Sequence, residues 1–310
     1  MRNKIRAFRE FWLDCYSSAL LSMLRSYDQV SYNSVYCNNY EYILSKIDLD
    51  NGRKFFSLQT DNHIEEFETV LFDKVIHYDF LKEENMTKKI KDILNEGMFV
   101  FLGVDIFYWI DDNYNWNRNH FNHYSLITDY EEKTKEYTVF ETGAKGYNEY
   151  KVDEKTVMNA AQNFKKNKSI VFKLNDEIEV DFVCPKVLKR NAKKIIDSIN
   201  TVLDREKEIF AFESLKNQEK SYVGDHIQTH MYSLECRQTA NKLLFEKEVG
   251  NFEIASEFSN IEEEYMKLKN LSIKYNIIKS FDNYSEFKEK LVSLLSREIQ
   301  IWKKYISDYQ

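Results

Sequence analysis

The apolar positions of this chain fall into two regimes. Up to about residue 183 they come as short runs and alternations broken by glycines and polar loops, and beyond it they recur at three- and four-residue spacing over long stretches, the pattern of amphipathic helices. Within the first regime, Leu20, Leu21, Met23 and Leu24 lay a broad apolar stripe on an amphipathic helix over residues 11–27, with Ser18, Ser22 and Arg25 elsewhere on it. A polar, tyrosine-rich connection over 31–42 and a short helix or turn up to Asn51-Gly52 follow. Residues 66–80 (EFETVLFDKVIHYDF) alternate enough for a strand. Thr87 caps a helix that runs through Leu94, and Gly97 supplies its left-handed stop.

Residues 98–107 (MFVFLGVDIF) form a nearly continuous apolar run rich in strand-favouring residues, which predicts a buried central strand. A loop dense in rings and polar groups spans 108–122. Residues 123–130 (HYSLITDY) and 136–142 (EYTVFET) predict two strands of a β-hairpin turning at 131–135. The loop 143–146 ends it, Asp153 caps a helix through Phe164, and residues 169–174 add a last strand. Past Pro185, helical patterns cover 187–215, 221–249, 253–275 and 285–305, with a stop at Gly250-Asn251. The pattern therefore predicts an α+β domain with an antiparallel sheet over residues 1–183 and an all-α domain over 184–310.

Composition narrows the class. With 43% hydrophobic residues among 310, the chain can bury a sizeable core. A net charge of −7 provides no clustered basic surface of the kind nucleic acid requires. The basic run 186–194 falls at helical spacing and reads as a solvated face. No apolar run approaches the roughly 20 residues a membrane span needs, and charges interrupt the N-terminus where a secretion signal requires an apolar centre. Four cysteines without a CxxC pair read as reduced thiols, which points to the cytoplasm.

The candidate chemistry starts at Cys15. A thiol in a first helical turn meets the positive end of the helix dipole, which favours the thiolate. A cysteine nucleophile needs a base, and the base needs a partner that fixes its ring. His123 opens one strand of the hairpin and Glu141 closes the other, so antiparallel pairing brings them to one end of the sheet. If the Cys15 helix packs on that sheet, a Cys15-His123-Glu141 triad results. His120 is the competing base, set behind His123 because His123 leads directly into the apolar strand. In the 108–122 loop, Tyr108, Trp109, Tyr114, Trp116 and Phe121 supply rings to exclude water from a substrate, and Asp111 and Asp112 supply charge for a cationic one. His226 and His230 stand at i, i+4 on a helix without a third ligand, so no metal site is expected. Cys37, Cys184 and Cys236 read as packing residues.

The same segments carry a resemblance. Residues 14–20 (DCYSSAL), 103–108 (GVDIFY), 123–130 (HYSLITDY) and 139–142 (VFET) resemble the family of butirosin biosynthesis protein H, a branch of the papain-like cysteine peptidase fold that includes bacteriocin-processing peptidases. The resemblance implies a papain-like catalytic domain acting as an acyltransferase in natural-product (antibiotic) biosynthesis. Cys15 would take an acyl group from the phosphopantetheine thioester of an acyl carrier protein and pass it to an amine of a small molecule. On that reading Cys15 is the nucleophile, His123 the base and Glu141 the orienting carboxylate, and the enzyme has no cofactor of its own. Peptidases of this fold usually carry a glutamine six positions before the cysteine; Arg9 stands there. The strand after His123 reads Thr128-Asp129-Tyr130 where such families often have a glycine. The same triad also suits a cysteine peptidase, an amidase or a thioesterase, and a non-catalytic scaffold of a biosynthetic assembly is the reading from another class. The helical region is expected to close over the site, dock the carrier or form a homodimer, with Lys186, Lys189, Arg190, Lys193 and Lys194 as a candidate dock for an acidic carrier.

Overall fold

Asp14 starts the first helix. Its carboxylate accepts the Ser17 N–H at 2.7 Å and the Ser17 hydroxyl at 2.6 Å, a side-chain cap that fixes α1 over Cys15–Leu24. The computed structural model describes residues 4–27, 39–49, 52–63, 68, 70–165, 168–178, 185–208, 215, 217–278 and 284–308. The helix is not the amphipathic one that the apolar stripe predicts. Ser17, Ser18 and Ser22 are buried together with Leu20, Leu21, Met23 and Leu24. Burial of Ser22 is tolerable because its hydroxyl donates to the Ser18 carbonyl at 2.7 Å and accepts the Phe8 N–H at 2.9 Å.

The stretch read as a helix or turn before Asn51-Gly52 is instead an antiparallel hairpin, β1 (Tyr40–Asp48) and β2 (Lys54–Asn62). Tyr40, Tyr42 and Ile47 are buried on it, a half-buried alternation that favours strand. Next comes β3, shorter than read, over Phe72–Tyr78. Helix α2 (Met86–Asn95) is capped by Asn85 rather than Thr87. Asn85 Oδ1 accepts the Lys88 N–H at 2.9 Å and the Thr87 hydroxyl at 3.0 Å, so Thr87 supports the cap from inside the first turn. The stop at Gly97 is as the sequence predicts, at φ +76°. Strand β4 (Phe99–Asp105) is buried at every residue.

Strands β5 (Asn122–Glu131) and β6 (Glu136–Gly143) form the predicted hairpin. The chain then makes a strand the sequence reading omits, β7 (Gly146–Asp153), because the turn between Gly143 and Gly146 is tight enough for the two glycines to pair. Asp153 caps α3 (Glu154–Gln162), and β8 follows at Ser169–Leu174. All six strands from β3 to β8 make one antiparallel sheet in the order β3-β8-β4-β5-β6-β7. Val100, Leu102, Val104, Ile127 and Val139 share one hydrophobic core with Ile90 and Ile93 of α2 and Val157 and Ala160 of α3. Residues at the alternate positions face the other way, and there the ring of Tyr16 lies 5.2 Å from that of Phe101. Gly103 is required by this packing, since a Cβ there would lie 2.2 Å from the Phe164 ring.

The remaining described elements are helices: α4 (Pro185–Leu203), α5 (Asn217–Leu243), α6 (Phe252–Ile278) and α7 (Tyr284–Asp308). Between α5 and α6 a π-helical turn, Leu244–Val249, ends at Gly250 with φ +73°. The protein is thus α+β, with a helical C-terminal region. Its elements group as two compact units, Met1–Val30 with Glu65–Val180, and Ser31–Ile64 with Asp181–Gln310. This departs from the contiguous 1–183 and 184–310 division and from an all-α second domain, because the β1-β2 hairpin packs on α4 and α5. The physical reason is a buried carboxylate. Glu298 accepts hydrogen bonds from the Tyr40 hydroxyl at 2.7 Å, the Tyr42 hydroxyl at 2.6 Å, Gln238 Nε2 at 2.8 Å and Trp302 Nε1 at 3.3 Å.

Candidate active site

The Asp14 cap places Cys15 at the first position of α1, where backbone N–H groups have no partner within the helix. The helix packs against β5 and β6, and the Cys15 sulfur comes to 3.6 Å from Thr142 Oγ1 near the end of β6. The hairpin register pairs Leu126 with Phe140 and Ile127 with Val139. Continued outward, it sets Ser125 opposite Glu141 and His123 two positions further on the same face. Ligand atoms of Cys15, His123 and Glu141 all lie within 4.8 Å of one another. Helix, strand and neighbouring strand therefore bring together the three residues that the sequence singles out.

Glu141 is 1% exposed. Its carboxylate accepts the Ser125 hydroxyl and, at 2.7 Å, the Thr142 N–H. His123 Nε2 is buried and stands 3.2 Å from Glu141 Oε1. Burial favours the neutral imidazole; the Glu141 carboxylate and the Cys15 sulfur outweigh it and push the His123 pKa up from 6.5 to about 11. Ser125 and Thr142 are neighbours of the cluster that sequence reading missed. The hairpin register was the available signal, since Ser125 follows His123 by one full strand repeat.

His120 pairs with a different carboxylate. Its Nδ1 lies 2.7 Å from Asp105 Oδ2, and its ring stacks on Phe107 at 4.3 Å. Asp105 also accepts the N–H groups of Phe107 and Phe121 at 3.1 and 3.2 Å, so the pair closes the base of the 106–121 loop.

That loop docks beside the cluster. Asn113 Nδ2 donates to the Thr142 carbonyl at 3.0 Å, and the Ala144 N–H donates to the Asp112 carbonyl at 2.9 Å. Gly143 leaves the necessary room, since a Cβ there would collide with the Tyr150 hydroxyl and Asp112 Oδ2. An open depression of about 590 Å³ is lined by Asp111, Asp112, Tyr114, Trp116, Arg118 and Ala144, among others. The expectation for Trp109 is corrected: it is 2% exposed and belongs to the core with Val104 and Ile110, because the chain turns inward after the short 3₁₀ segment Ile106–Tyr108. Tyr114, Trp116 and Phe121 are the exposed rings. Asp111 is exposed, whereas Asp112 accepts the Tyr150 hydroxyl at 2.7 Å.

Arg9, standing where a peptidase glutamine is usual, is exposed. His230 Nδ1 lies 2.6 Å from Ser57 Oγ, and burial followed by the neighbouring His226 lowers its pKa to about 4. Among the described residues, these two histidines gather no third metal ligand. Cys236 is buried, and Cys37 and Cys184 lie outside the described residues. Lys186, Arg190, Lys193 and Lys194 lie on the exposed side of α4, with Lys189 half-buried. No helix among the described residues is long and apolar enough to cross a membrane. No protein-family model matches the chain, and no curated protein matches it.

Proposed function

We propose that the protein is a cysteine acyltransferase with a papain-like catalytic unit, which takes an acyl group from a carrier-protein thioester and delivers it to an amine. The observation that carries this reading is the clustering of Cys15, His123 and Glu141, with the cysteine at a helix N-terminus. The Cys15 thiolate attacks the thioester carbonyl, and the carbon–sulfur bond to the phosphopantetheine arm breaks as the new one forms. The His123 imidazolium gives its proton to the departing thiolate. Exchange of one sulfur for another needs less leaving-group assistance than amide cleavage.

Acylation then changes the electrostatics. The sulfur no longer carries negative charge, so one of the two influences that raise the His123 pKa is removed and the neutral imidazole becomes accessible. In that form it takes a proton from the attacking amine as the amide forms, and the Cys15 thiolate departs. The Cys15 backbone N–H is the helix-terminal donor for the oxyanion. Asp111, with the rings of Tyr114 and Trp116, lines the depression where the amine would enter.

Intact-mass spectrometry of the full chain after incubation with an acylated carrier protein tests the reading. An acyl mass on Cys15 that an added amine discharges supports transfer. Discharge by water alone assigns a peptidase, amidase or thioesterase instead. No adduct on folded protein assigns a scaffold.

A further inference from the structure

The catalytic cluster also has the composition of a metal site. A thiolate, an imidazole and a carboxylate are the three protein ligand types of zinc, and sites with three protein ligands keep a fourth position open. Their ligand atoms already lie within 4.8 Å of one another. A tetrahedral Zn²⁺ with the usual bond lengths holds its ligand atoms about 3.3–3.7 Å apart, so closure needs a contraction of about 1 Å. The His123–Glu141 edge, at 3.2 Å, is already of that length. The ring of His123 is held between the other two members, with its Nε2 buried 3.2 Å from Glu141 Oε1 and the Cys15 sulfur close enough to act on its charge. The Ser125 hydroxyl and Thr142 N–H hold Glu141 from behind, the kind of outer support that fixes a metal-binding carboxylate.

We propose that Cys15, His123 and Glu141 bind a divalent transition-metal ion of the zinc type, and that metal occupancy and acylation of Cys15 exclude one another. The ion bonds to the thiolate sulfur, the imidazole nitrogen and a carboxylate oxygen, and the proton of His123 passes to solvent. Two anionic ligands balance the charge of the ion, leaving a neutral buried centre. The inhibitory consequence rests on the acyltransferase reading; the binding does not.

The test is a Co²⁺ titration of the chelator-treated full chain, followed by displacement with Zn²⁺. One equivalent of Co²⁺ should give a thiolate-to-cobalt charge-transfer band that is absent in C15S, weakened at least tenfold in affinity in E141Q, and unchanged in H226A/H230A. Zn²⁺ should slow iodoacetamide alkylation of Cys15 at least tenfold. Absence of the band in protein that is folded by circular dichroism overturns the proposal, as does its persistence in C15S. Acyl-adduct formation measured in excess chelator is a separate readout. An adduct without the band leaves the acyltransferase reading standing and removes the metal. The band without an adduct does the reverse.

Discussion

Two buried glutamates, one in each unit, show how differently this fold uses the same side chain. Glu298 is fully buried, and four donors from the hairpin and the helices meet its carboxylate. Burial raises its pKa, partly countered by those bonds. Glu141 is as deeply buried, yet among the described residues it accepts one hydroxyl and one backbone N–H, and its other neighbour is the His123 imidazole, 3.2 Å away. The first carboxylate holds strands to helices. The second leaves interaction capacity unspent beside a thiol, and unspent capacity in a buried polar group is what chemistry can use.

Substitutions can break this contrast. The largest effect is expected from Cys15→Ala, which abolishes the acyl adduct while the urea midpoint moves little; an adduct of full yield would remove the nucleophile from the site. Glu141→Gln should come next, lowering the rate of acyl transfer by about 10²–10³-fold, with a stability loss of about 1 kcal/mol because the amide oxygen still accepts the Thr142 N–H while the amide NH2 donates to the Ser125 hydroxyl, which turns to accept it. Glu298→Ala should do the opposite. It strands four donors and costs about 3–5 kcal/mol, read as a Tm lower by on the order of 10 °C, with Cys15 alkylation unchanged. If the two phenotypes were alike, the contrast would be empty.

Titration sharpens it further. His123 is raised from 6.5 to about 11 by the Glu141 carboxylate and the Cys15 sulfur against the cost of burial. Because the folded-state pKa is the higher one, the stabilisation is complete below about pH 6.5 and is lost as pH rises through about 11. The His123 ring resonance, followed by NMR, should therefore stay in its protonated position across pH 7–9. In Glu141→Gln it should titrate at a lower pH. A wild-type ring that titrates near 6.5 would contradict the electrostatics described here.

Much of the geometry of the Cys15-His123-Glu141 cluster was legible because it follows from short-range rules. An Asp cap starts α1 at Cys15, and hairpin pairing alone brings His123 toward Glu141. What escaped the sequence depends on longer-range packing. The burial of α1 on all sides requires a neighbour for Ser22, and that neighbour is the Phe8 backbone. The β1-β2 hairpin is held by Glu298, some 250 positions further along the chain. Trp109 looked like a pocket wall because its neighbours are polar, whereas the core takes it. Strand β7 was hidden by a glycine-flanked turn that also reads as an irregular loop.

The smallest effect concerns the depression beside the site. Sequence treats Asp111 and Asp112 as an acidic pair, but the structure divides them. Asp112 is bonded to Tyr150 and seated against Gly143, while Asp111 faces solvent. Only Asp111 is therefore free to act as a simple attractive charge. An exposed charge of this kind contributes about 0.2–1 kcal/mol, so Asp111→Asn should raise the KM for a cationic amine no more than about fivefold at low salt. The difference from wild type should vanish at high ionic strength, where the screening length falls to about 3 Å. Asp112→Asn removes the charge from the Tyr150 bond and loosens the loop that Asn113 ties to Thr142, so it should act on kcat and keep its effect in salt. If the effects of both variants persisted in salt, both carboxylates would act only as loop structure and the depression would not select a cation.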